Sequence, residues 1–191
     1  MDEAFALMLE PRRHRCLGAN LIPLTLGHVL LLHRLSSPFL SDKPITATRL
    51  FEAVFVCCQH HEKALANMQR RWAGKLLWLW AWRHRKTDLD IESRKFAAYL
   101  EENFSVARVK NARGGSSVAR APWALRILVA LMAELHWSEQ TAKDCPLIKA
   151  NGLLVALAES RGEVKLWSKA DHDFYNWARS MDELKFGKEK N

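Results

Sequence analysis

From Leu50 to His61, apolar and weakly polar side chains return every three or four residues. Leu50, Phe51, Val54, Phe55, Cys58 and His61 therefore share one face of a helix, and the pattern runs on to about Met68. A strand buries every second residue instead, so this spacing decides the local structure. The same period recurs at Leu26, Val29, Leu30 and His33, at Ile91, Phe96, Ala97 and Leu100, and at Phe174, Trp177 and Met181. A chain built from such segments is expected to be all-α, a bundle of about seven helices that bury their stripes against one another.

Start and stop signals divide the chain. Thr25 is placed to cap a first helix that ends by Ser36-Ser37-Pro38, since a proline disfavours helix in the residue before it. Thr46 or Thr48 opens a second, and residues 69–85 form a third or continue it. Asp88 or Asp90 begins the next. Pro122 suits the first turn of another, Ser138 caps a short one, Pro146 begins the next, and Gly162 closes it. Ser168 with Asp171 makes a box-like cap for a last helix. The resulting domain map has a loose arm at 1–22, a helical lobe at 23–104, a basic Gly/Ser linker or loop at 105–121, a second lobe at 122–185 and a charged tail at 186–191. The break between lobes would fall at Gly114-Gly115-Ser116-Ser117.

Hydrophobic residues make up 49% of the 191 and charged ones 26%, enough for a core and too apolar for a disordered chain. Cys16, Cys57, Cys58 and Cys145 form no disulfide framework, because adjacent cysteines are badly placed to bond each other. The N-terminus lacks a basic-then-apolar leader pattern. The longest apolar run, Leu76 to Trp82, falls far short of the roughly 20 residues that span a bilayer. A cytoplasmic protein without a membrane partner is expected.

Chemistry has few footholds. Cys57-Cys58-Gln59-His60-His61 puts His61 four residues from Cys57 and three from Cys58, a spacing at which thiolate and imidazole can share a zinc or copper ion. A structural zinc site needs four ligands, and no second Cys/His pair follows; Cys58 and His61 also lie on the apolar stripe, as core residues would. Cys57 with His61 is the one local pair suited to nucleophilic catalysis, and its Val and Phe neighbours argue for burial. Asp88, Asp90 and Glu92 complement a helix start without further chemistry. The chain contains no Gly-x-Ser-x-Gly, no His-Glu-x-x-His and no phosphate loop. No catalytic residue and no cofactor is therefore expected. Residues 138–154 open like a helix-turn-helix, but Pro146 stands where the turn wants a glycine, and the second helix offers few base-reading groups.

Recognition has more. The formal charge is +8, and residues 70–120 hold twelve Lys and Arg against five Asp and Glu, which leaves +7 there. Within that stretch lie Trp72, Leu76, Trp78, Trp80, Trp82, Arg83 and Arg85, the candidate partner-binding residues. Their apolar run reads as a helix, although alternating Trp78, Trp80 and Trp82 would also suit a strand. Indoles among cations can seat a partner's apolar segment or stack on bases; equally, several of the rings can fill the core.

Two stretches resemble a known family. The run from Pro23 to Phe39, PLTLGHVLLLHRLSSPF, resembles the N-terminal signature of small helical proteins of phage and prophage tail modules. Trp137 to Ala142 (WSEQTA), Pro146-Leu147, Leu157 to Gly162 (LAESRG) and Ser168 to Asp171 (SKAD) resemble the C-terminal half of the same proteins, which are similar to tail assembly chaperones. That resemblance implies a non-enzymatic cytoplasmic helper that binds a long helical tape measure protein while tail subunits polymerise. It carries over no site residue. A nucleic-acid-binding protein using the basic, tryptophan-rich middle and a structural virion protein are the two alternatives, and oligomerisation stays open.

Overall fold

The computed structural model describes residues 12–40, 45–70, 73–105, 109–110 and 122–166. Its described residues form eight α-helices: α1 (Leu26–Arg34), α2 (Ala47–Cys57), α3 (His61–Met68), α4 (Ala73–Arg83), α5 (Leu89–Phe104), α6 (Trp123–Leu135), α7 (Glu139–Asp144) and α8 (Leu147–Ser160). Among the described residues, strand is confined to two small antiparallel pairs: β1 (His14–Cys16) with β2 (Ala19–Leu21), and β3 (Val109–Lys110) with β4 (Lys165–Leu166). The all-α expectation is borne out. The last helix expected from Ser168 lies outside the described residues, as does most of the basic segment 105–121.

The caps explain where the helices begin. The Thr46 hydroxyl accepts from Arg49 N–H, the Asp88 carboxylate from Asp90 and Ile91, and the Ser138 hydroxyl from Thr141. α1 carries a reciprocal box: Thr25 Oγ1 accepts from His28 N–H, while His28 Nδ1 accepts from Thr25 N–H at 3.1 Å. An imidazole here plays the part usually taken by Glu or Gln. Gly162, at φ +72°, closes α8 in the left-handed conformation that an L side chain resists.

One break was not signalled by periodicity. The stripe expected to run to Met68 is interrupted at residues 58–60, because His60 turns extended (φ −53°, ψ 139°). The Gln59 carbonyl is taken by His28 Nε2–H at 2.8 Å instead of by a following helical turn. The new helix restarts with its apolar phase preserved, and spacing alone cannot register that.

Of the arm expected at 1–22, residues 12–22 are described. Residues 14–21 form a hairpin whose two turn residues, Leu17 (φ 48°) and Gly18 (φ 74°), both take the left-handed conformation that matches strand twist. Cys16 and Leu17 are buried, and Leu17 N–H donates to the carboxylate of buried Glu92 at 2.5 Å. The chain then threads between helices. Ile22 N–H donates to Cys57 O, Tyr99 O–H to Ile22 O, Leu24 N–H to Asn103 Oδ1, and Leu147 N–H to Leu24 O. Every one of these satisfies a backbone group that burial would otherwise leave orphaned.

Helices from either side of the segment 105–121 pack on one another. α1 packs on α2 and α3 and equally on α6 and α7, while α5 packs on α8. Leu26, Val29, Val54, Phe96, Tyr99, Leu131 and Leu147 belong to a single buried cluster drawn from both sides of the linker. Five helices from 23–104 and three from 122–166 thus pack around one core.

Candidate functional site

Two features stand out once the core is subtracted. The first is the outer face of α4. Successive helical residues turn by about 100°, so Trp78 and Trp82 lie on one side and Trp80 on the other. Trp80 faces inward, edge-on to Phe51 with ring centroids 5.7 Å apart. Trp78 is 68% exposed, and Leu79 and Trp82 are each 53% exposed. The Arg85 guanidinium lies 5.2 Å from the Trp82 ring centroid, a cation–π pair at the helix end. Lys75, Arg83 and Lys86 are exposed along the same stretch. The alternation that had left strand open is therefore a helix with one indole in and two out. A strand would have put all three on one face. Trp72 lies outside the described residues, as does the side chain of Leu76. A second exposed apolar row, Leu125, Val129 and Met132, follows on α6 at steps of four and three. Its signal was present in the sequence as an i, i+4, i+7 set.

The second feature is where α3 begins. The cysteines and histidines of residues 57–61 are separated by the turn between α2 and α3. Cys57 is fully buried in the core, and that burial drives its thiol far above the ordinary range. Cys58 is half-buried, its thiol also raised by burial, and it donates to Phe55 O. Neither thiol enters the histidine group. In their place stands Asp144, from the last residue of α7. His60 Nε2 lies 2.8 Å and His61 Nδ1 3.6 Å from Asp144 Oδ1. The three candidate ligand atoms all fall within 4.8 Å of one another. The His61 imidazole is held below its ordinary pKa by burial first and by His60 second, which outweigh the opposing pull of Asp144 and Glu62. Nothing in the sequence pairs Asp144 with His61, eighty-three positions away; the packing of both α3 and α7 on α1 brings them together.

His61 also lines a groove of about 470 Å³, with Gly27, Leu30, Leu31 and Leu65 on its apolar side and Arg34, Gln140 and Lys143 at its polar edge. Gly27 is what lets α3 come so close. A Cβ at position 27 would fall 2.5 Å from the His61 ring, so any side chain there displaces it.

No protein-family model, curated protein or solved structure matches this chain.

Proposed function

We propose that the chain is a non-enzymatic helical binding protein that works in the cytoplasm and receives an amphipathic helix of a partner on the outer face of α4. One observation carries the reading: Trp78, Leu79 and Trp82 stand exposed on one side of a helix that Trp80 anchors to the core from the other. Large rings on a rigid helix give contact area at little entropic cost, and such anchors dominate binding energy at protein interfaces. A partner helix would set its own apolar row against this face in the helix-in-groove manner. The burial of Cys57 supports a binding role over a nucleophilic one, because a thiol so placed is neither ionised nor reachable. The sequence resemblance to tail assembly chaperones supplies the partner: a long helical tape measure protein, held while tail subunits assemble.

The test uses overlapping helical segments of the tape measure protein encoded nearest the gene, titrated against the full chain. Saturable binding that is lost in Trp78→Ala/Trp82→Ala supports the reading. Binding that is absent, or unchanged in that variant, refutes it. A second reading rests on Arg85 over Trp82 beside exposed Lys75, Arg83 and Lys86, a cation-and-indole set that suits single-stranded nucleic acid. It requires a gel shift at roughly 50 mM salt that weakens steeply as salt rises, and no shift at low salt dismisses it.

A further inference from the structure

We propose that His60, His61 and Asp144 form a binding site for one divalent transition-metal ion of the zinc type. The inference is independent of the partner-binding reading. Its first support is convergence. His60 Nε2, His61 Nδ1 and Asp144 Oδ1 are each a single donor atom of a kind that binds zinc, and they approach from two elements distant in sequence. Zinc–ligand bonds of about 2.0–2.2 Å in a tetrahedron place neighbouring ligand atoms about 3.4 Å apart. The 3.6 Å from His61 Nδ1 to Asp144 Oδ1 already matches, and the 2.8 Å from His60 Nε2 needs only a small opening of an exposed ring.

The second support is polar satisfaction. His61 Nδ1 and Asp144 Oδ1 are buried, and neither has a hydrogen-bond partner despite their closeness. The 3.6 Å from His61 Nδ1 to Asp144 Oδ1 is longer than a hydrogen bond, and the 2.8 Å contact from His60 is not aligned as one. A buried polar atom left this way costs on the order of 1–3 kcal/mol, and a cation among them relieves it. Side-chain exposure is 10% at His61, 48% at His60 and 39% at Asp144, so the site has a closed floor and an open mouth for the ion.

Three protein ligands leave a fourth position for water or for a group that enters from outside, the arrangement of an open rather than a closed zinc site. Bound there, the ion would tie the end of α7 to the start of α3 beside the groove that His61 lines. Cys58 takes no part, because its thiol is turned to Phe55 O.

The experiment uses full-length protein without a histidine tag, stripped with a chelator and titrated with Zn²⁺ by calorimetry and with Co²⁺ by visible spectroscopy. One ion should bind per chain. Asp144→Asn and His60→Gln should each weaken binding at least about tenfold, the scale set by losing even a supporting residue. Cys58→Ser should leave affinity unchanged, and the Co²⁺ spectrum should lack a thiolate charge-transfer band. Both ligand variants are near-isosteric changes at partly exposed side chains, and their far-UV circular dichroism should match that of the wild type. The proposal is overturned by absence of saturable binding, by wild-type affinity in folded Asp144→Asn, or by a thiolate band that Cys58→Ser removes.

Discussion

His28 uses both ring nitrogens in hydrogen bonds to two separate segments. It is wholly buried, accepts from Thr25 N–H through Nδ1 and donates through Nε2 to Gln59 O, so one neutral tautomer serves both contacts. Burial lowers its pKa to about 4, with His61 and His60 adding to the shift and Gln59 O and Asp144 opposing it. The unfolded chain, with an ordinary imidazole, binds the proton more readily. Stability is therefore full above about pH 6.5 and is lost as pH falls towards 4. In chelator-treated protein, urea unfolding should show a loss of about 2 kcal/mol between pH 7.5 and pH 5, with His61 contributing in the same direction. His28→Gln should flatten that slope; equal stability of the wild type at both pH values would contradict the assignment.

Gly27 and Glu92 are legible only in three dimensions, because each is defined by a long-range neighbour. Gly27→Ala pushes the His61 ring aside and should cost about 1–3 kcal/mol in urea unfolding, although alanine favours helix more than glycine does. A gain in stability would mean that α3 yields freely. At Glu92, burial raises the carboxyl pKa, but Leu17 N–H, Lys95 and Cys16 together bring it below the ordinary value. Glu92→Ala leaves buried Leu17 N–H without its acceptor and should cost about 1–3 kcal/mol by the same measurement.

Among the elements, α4 separates core from surface by residue number. Trp80→Ala should destabilise by about 2–3 kcal/mol, as loss of a partly buried indole packed on the core does, whereas Trp78→Ala and Trp82→Ala should each stay within about 0.5 kcal/mol of the wild type. Thermal unfolding of the three variants checks this, and a large loss from Trp78→Ala would mean that the exposed face is structural. Helix identity was readable from the sequence because period, caps and prolines agree. Thr25, Thr46, Asp88, Ser138 and Gly162 all stand where the sequence places a helix end. The turn after Cys57 was not readable, since it depends on a carbonyl captured by His28 from another helix. Likewise, Leu17 looks like an ordinary apolar residue of a loose arm until Glu92 is seen to hold it in a left-handed turn.

At the scale of the whole molecule, helices from both sides of the segment 105–121 share one buried cluster among the described residues. Gly114 to Ser117 marked a division, but burial is a property of pairs of helices, and α1 packs on helices from both sides of that segment. The same limit applies to the candidate sites. The indoles of α4 could be found by composition and charge, whereas Asp144 joins His60 and His61 only through the fold. Among the described residues, the surface left over after core formation is apolar and aromatic on α4, apolar along α6 and polar at the start of α3, and the first of these sets the proposed function. Its most direct test is the affinity of the full chain for tape measure helices, compared between wild type and Trp78→Ala/Trp82→Ala at matched stability. The account predicts saturable binding by the wild type and at least about a hundredfold weakening in the variant, as expected when two central aromatic anchors are removed. Equal affinity of the two proteins would contradict it.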